Sequence, residues 1–110
     1  APVNVINYLT NDCFILFQNY LNSFNPITTI KYQLPAKVKS ETIPTGRQAV
    51  NVKLIVFDIL GREVTTLVNQ RQNPGNYEVA FDGKKLPTGI YFYRLSAGNY
   101  VETKKMILLK

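Results

Sequence analysis

The sequence predicts an all-β fold, a small sandwich of about seven strands. The dominant hydrophobic period is two, and no long stretch keeps a helical period. The apolar runs are separated by turn signals rich in Gly, Pro, Asn and Asp, at the spacing of a small β-sandwich. With 45% hydrophobic residues in 110, the chain has enough apolar material for one independently folding core.

Taken in order, the elements have separate justifications. In residues 1–13, Val3 and Val5 alternate against Asn4, Ile6 and Tyr8, the pattern of an additional edge strand. A short strand is expected around Phe14 to Gln18. Phe24-Asn25-Pro26 then reads as a turn that pins the first strands together. Thr28 to Leu34 puts Ile30, Tyr32 and Leu34 on one face and stops at Pro35. Residues 37–49 are polar and broken by Pro44 and Gly46, which predicts an exposed loop.

Val50 to Asp58 buries Val50, Val52, Leu54 and Val56 on one face. Ile55 and Phe57 make the other face apolar too, as in a strand covered on both sides. Residues 60–63 form a tight turn, with Gly61 at positive φ and Asp58 as the cap, leading into a strand from Glu63 to Val68. After the turn at Asn73-Pro74-Gly75-Asn76, Tyr77, Val79 and Phe81 share a face and Asp82-Gly83 ends the strand. Ile90 to Ala97 is apolar on both faces and reads as a central strand, with Tyr91 and Tyr93 flat on a core. Ser96-Ala97-Gly98-Asn99 closes a hairpin into the last strand, Asn99 to Leu109.

Composition excludes several function classes. The chain has no His, so the commonest general base, the commonest metal ligand and every Ser-His or Cys-His pair are missing. Asp58, Asp82, Glu63 and Glu78 lack the spacing of a calcium loop. No catalytic, metal or cofactor site is therefore expected, and the chain is read as not an enzyme. The net charge of +6 is spread out rather than striped, which argues against nucleic acid as a partner. The apolar runs Ile15-Leu16-Phe17 and Met106 to Leu109 are too short for a helical membrane span, so no membrane insertion is expected. The single Cys13 cannot form an internal disulfide. Ala1-Pro2-Val3 has neither the basic nor the apolar region of a signal peptide. The chain is therefore read as starting after a processing point or as cut from something longer.

From about Phe14 onward, several motifs stand in a recognisable order: Gln18-Asn19-Tyr20 leading to Phe24-Asn25-Pro26, and Thr28-Thr29-Ile30-Lys31-Tyr32-Gln33-Leu34-Pro35. Val56-Phe57-Asp58-Ile59-Leu60-Gly61-Arg62-Glu63-Val64, Leu86-Pro87-Thr88-Gly89-Ile90-Tyr91 and Lys104-Lys105-Met106-Ile107-Leu108 follow. In these the chain resembles the C-terminal sorting domain of proteins exported by the type IX secretion system of Bacteroidetes-type bacteria. The resemblance implies an immunoglobulin-like antiparallel sandwich over 14–110. It implies passage through the periplasm to the cell surface or exterior. The partners it implies are an outer-membrane secretion translocon and a cell-surface sorting peptidase. Carried over to this chain, Gly89 and Tyr91 with Lys104, Lys105, Met106, Ile107 and Leu108 would hold the signal. The family usually has prolines where this chain has Leu21 and Ser23, and residues 1–13 are a divergent leader.

Other readings stand beside these. Lys104 and Lys105 fall on opposite faces of a strand, so at most one points inward; they either meet an acidic groove or guard an edge against aggregation. Tyr91-Phe92-Tyr93 reads as core before it reads as a stacking platform. The alternative function is a stand-alone extracellular structural subunit. In it Val3, Val5, Ile6 and Tyr8 of one copy add a strand to the next, giving a homo-oligomeric filament or surface layer. A carbohydrate-binding module would need exposed aromatics on a flat face.

Overall fold

The computed structural model describes residues 13–35 and 49–110. Val3, Val5, Ile6 and Tyr8, and all of the 37–49 loop except Ala49, lie outside the described residues. The described residues form eight strands: β1 (Ile15–Leu16), β2 (Ser23–Phe24), β3 (Ile27–Leu34), β4 (Val50–Phe57), β5 (Glu63–Gln72), β6 (Gly75–Asp82), β7 (Gly89–Ala97) and β8 (Tyr100–Leu108). They make two sheets packed as a sandwich, ordered β1-β3-β6 and β2-β8-β7-β4-β5.

Period-two alternation becomes burial on the facing sides of both sheets. The smaller sheet supplies Ile30, Tyr32, Leu34 and Phe81; the larger supplies Val52, Leu54, Val56, Tyr91, Tyr93, Leu95, Met106 and Leu108. β7 lies between β8 and β4, as its two apolar faces predict. The outer face of β4 is covered too: Ile55 is buried, and the Arg94 guanidinium lies 4.6 Å above the Phe57 ring.

Two departures from the sequence reading have physical causes. β2 is a two-residue strand, paired in parallel with the end of β8 at Ser23↔Ile107 and Phe24↔Leu108. Two residues show no period, and the neighbouring Asn25-Pro26 signals a turn; that peptide bond is cis, as is Tyr20-Leu21. β5 continues four residues past Val68 because Asn69 to Gln72 keep pairing with Val50 to Lys53, although their side chains are polar. Against β4 it shifts register at Leu67 and at Val64. These bulges leave both side chains half-buried against the core.

Residues 17–22 cross from the small sheet to the large one and close that side of the sandwich. Phe17 and Tyr20 donate their backbone N–H groups to Lys31 O and Thr29 O, both at 3.0 Å. Asn19 sits inside this strap, 2% exposed. Its Nδ2 donates to Leu21 O at 2.7 Å and to Thr28 Oγ1 at 3.0 Å, and its Oδ1 accepts from Gln18 Nε2 at 2.7 Å. Thr28 Oγ1 donates to Leu21 O at 2.8 Å, Gln18 Nε2 also reaches Lys105 O, and Tyr93 Oη donates to Phe17 O at 2.7 Å. On the opposite side Tyr32 Oη donates to Gln72 Oε1 at 2.6 Å, tying β3 to the end of β5.

At one end of the sandwich, Gln33 Nε2 donates to Cys13 O and Phe14 stacks on Tyr100, ring centroids 5.0 Å apart, beside the β7–β8 hairpin. The β4–β5 turn and the last residues of β8 lie at the other end.

Replacing Asn19 by Ala removes the hydrogen bonds that its buried amide makes to Leu21 O and Thr28 Oγ1, and we expect a stability loss of about 2 kcal/mol in urea titrations. Asn19→Asp should cost more, because it turns a carboxylate oxygen toward the carbonyl oxygens of Leu21 and Asn22, where the amide Nδ2 donates at 2.7 and 3.4 Å. Burial pushes the Tyr93 phenol up from 10.0 to about 12. Its neutral form is favoured on folding, so its contribution is complete below pH 10 and is lost as pH rises from there to about 12. Tyrosinate absorbance of the folded domain should lag that of the urea-unfolded chain in this window, and Tyr93→Phe should reduce the lag.

Candidate functional site

Three motifs far apart in sequence meet at the end of the sandwich away from Cys13. They are the turn between β4 and β5 (residues 58–62), the loop between β6 and β7 (residues 83–88), and the close of β8. Register sets the meeting: Gly89, the first residue of β7, pairs with Leu108, the last of β8. Gly83 N–H donates to Pro26 O at 2.8 Å, and a Cβ on Gly83 would lie 2.9 Å from Leu108 Cδ2. A side chain there would push into the buried end of β8. Lys110 N–H donates to Thr88 Oγ1 at 3.1 Å and its Nζ to Lys84 O, while Leu109 N–H donates to Phe24 O at 2.9 Å. Tyr91 Oη donates to Pro87 O at 2.7 Å and fixes the loop to β7.

The β4–β5 turn is built around one carboxylate. Asp58 Oδ1 accepts from the backbone N–H groups of Leu60 and Arg62, each at 2.9 Å, and Oδ2 accepts from Arg62 Nε at 2.8 Å. Gly61 N–H closes onto Asp58 O, and Gly61 has a φ of +84°, as the sequence predicts for this position. These bonds hold the Asp58 carboxyl below its ordinary pKa, the Arg62 N–H contributing most. The polar atoms of the turn are spent on each other, so the aliphatic side chains project outward. Ile59 is 64% exposed and Leu60 73%.

Beside them opens a cleft of about 530 Å³, lined by Ile59, Leu60, Val64, Leu86, Pro87 and Ile90 among others. Lys84 and Lys85 stand exposed on the adjoining loop, with Lys110 against it. The nearby Asp82 Oδ1 accepts from Lys84 N–H at 2.9 Å, and Glu63 is exposed at the start of β5. Among the described residues no group of three or more Cys, Asp or Glu is placed to hold a metal ion. The surface offers apolar contact and charge.

The family described as "Secretion system C-terminal sorting domain" matches residues 25–109. The chain belongs to this family. No curated protein matches it. The family carries the C-terminal sorting signal of the type IX secretion system, which ties this sorting domain to that machinery and to a secreted or cell-surface protein. The match begins at Asn25, yet the sorting domain needs residues before it. Leu16 and Phe24 are core residues, and the 17–22 strap carries the Asn19 network.

The β7–β8 ladder brings together all seven residues that the resemblance marks as the signal and divides them between two faces. Tyr91 pairs with Met106 and both are buried, as is Leu108. Lys104 is half-buried on the inward side, its Nζ 3.9 Å from Glu102. Lys105 is exposed on the outer face opposite Phe92, and its carbonyl accepts from Gln18. Ile107 lies on that outer face opposite Ile90 and donates its N–H to Asn22 O at 3.2 Å. Of the seven, the surface of the folded domain offers Gly89, Lys105, Ile107 and part of Lys104. Sequence reasoning missed Ile59, Leu60, Lys84 and Lys85 as members of this end. The available signal was the pair of bulky aliphatics inside a tight turn, where polar residues ordinarily sit.

Asp58 supplies a check on this geometry. Its folded pKa is depressed, so its contribution is complete above the unfolded value of about 4 and is lost as pH falls through the lower folded value. Asp58→Ala should lower the thermal midpoint at neutral pH and flatten the loss of stability below pH ~4. An acid limb of unchanged steepness would show that the carboxylate does not hold the turn.

Proposed function

We propose that the sorting domain is a non-catalytic address, read as a folded immunoglobulin-like unit by the outer-membrane translocon on its periplasmic side. The observation that carries this reading is the convergence of the three motifs at one end, with half of the signal strand serving as core. A linear tail would need neither Met106 nor Leu108 buried. Gly89, Lys105 and Ile107 give this end its recognisable outline, while Tyr91, Met106 and Leu108 hold that outline in place. A cell-surface sorting peptidase would then act after export. Self-assembly by strand addition is the second reading: the β5 edge shifts register twice against β4, but the β6 edge pairs with β3 in unbroken register and keeps a straight ladder for a strand of a second copy.

Fused after a periplasm-directed reporter in a type IX-competent host, the full chain should bring the reporter to the cell surface. Deleting residues 104–110 should trap it, but that deletion also removes core. The sharper variant is Leu54→Ala, fully buried on β4 and far in sequence from the tail. It should cost about 2–5 kcal/mol and reduce export in step with the loss of folding. Full export from a demonstrably unfolded Leu54→Ala domain would overturn the folded-address reading.

A further inference from the structure

We propose that the Ile59-Leu60 pair is the docking tip of the domain, seated in an apolar pocket of a protein partner whose rim is acidic. This rests on the sorting reading and names the surface through which it works. Ile59 and Leu60 are neighbours in a turn whose conformation depends on Asp58, Gly61 and Arg62 and makes no use of their side chains. The fold would accept polar residues at both positions, and an exposed aliphatic pair is an aggregation hazard without compensation inside the domain.

The turn is internally hydrogen-bonded, so the two side chains are presented in a fixed place and binding orders little backbone. The apolar surface also continues past them. The adjoining cleft, with Val64, Leu86, Pro87 and Ile90 in its lining, extends the contact from a point to a patch. Leu109, 49% exposed, lies at the same end of the sandwich.

Charge identifies the rim. Asp58 is engaged by Arg62, and Asp82 caps the backbone of Lys84. Lys84, Lys85 and Lys110 outnumber Asp82 on the 83–88 side, and Glu63 stands across from them on the β5 side. A partner pocket lined with carboxylates along the lysine side would complement this pattern and set the orientation of docking. A protein pocket fits better than an anionic membrane. Ile59 and Leu60 alone offer less apolar surface than one myristoyl chain, which by itself binds membranes only marginally, and the other apolar residues line a recessed cleft that a shaped protein surface can enter.

The test uses the full chain as a C-terminal fusion in a type IX-competent host, with wild type, Ile59→Ser/Leu60→Ser and Lys84→Glu/Lys85→Glu in parallel. Each double variant should lower surface display by about tenfold or more, as expected for anchor residues. The thermal midpoints of the purified chains should stay close to wild type, because the substitutions are at exposed positions. Failure of the wild-type fusion to reach the surface would count against the sorting reading itself. Wild-type export with undiminished display of either double variant would leave that reading standing and overturn the tip. Purified full chain is also mixed with phosphatidylglycerol vesicles. It should stay unbound, and flotation that requires Ile59 and Leu60 would overturn the protein pocket in favour of a lipid surface.

Discussion

The structure depends on its last strand being part of its core. Met106 and Leu108 are fully buried, and β8 lies between β7 on one side and β2 on the other. Without that strand Tyr91 loses its cross-strand partner, β2 loses the only pairing it has among the described strands, and Gly83 loses the leucine that a side chain there would crowd. The residues proposed to carry the export signal are therefore bound into the stability of the domain. A marginally stable sandwich of this size can be unfolded by losing one or two large buried side chains. Sequence identity at the tail and integrity of the fold are thus difficult to vary separately, which is why the decisive variants lie elsewhere in the domain.

A second constraint is the polar network inside the 17–22 strap. Asn19, Thr28 and Tyr93 satisfy carbonyl groups of a segment that has almost no ladder pairing of its own. In a low-dielectric interior such bonds are strong when complete and costly when one partner is lost. The strap is irregular in backbone and specific in side chain. It lets the chain cross between sheets while carrying Phe24 into the core against Phe81.

Much of the fold was legible because alternation records burial directly. β3, β4, β7 and the Asp58 turn could be placed from the sequence because a period of two, apolar residues on both faces, or Asp before Gly each has one simple physical cause. β2 was not legible, since two residues carry no period, and the length of β5 was hidden because its last pairs are backbone contacts between polar positions. The candidate site was half legible. The resemblance singled out Gly89, Tyr91 and residues 104–108, but strand parity alone cannot tell which of two apolar-rich faces meets the second sheet. Only the register of β7 against β8 sends Met106 and Leu108 inward and Ile107 outward. The part played by Ile59 and Leu60 depends on three loops meeting in space, and no local pattern records that.

The two ends of the sandwich have different neighbours. Cys13 joins the domain beside the β7–β8 hairpin, where Phe14 stacks on Tyr100, while the Ile59-Leu60 turn stands at the far end. A partner holding the turn would be a full strand length away from the point where the upstream chain is tethered. Recognition at the turn would then leave the Cys13 end of the domain unobstructed.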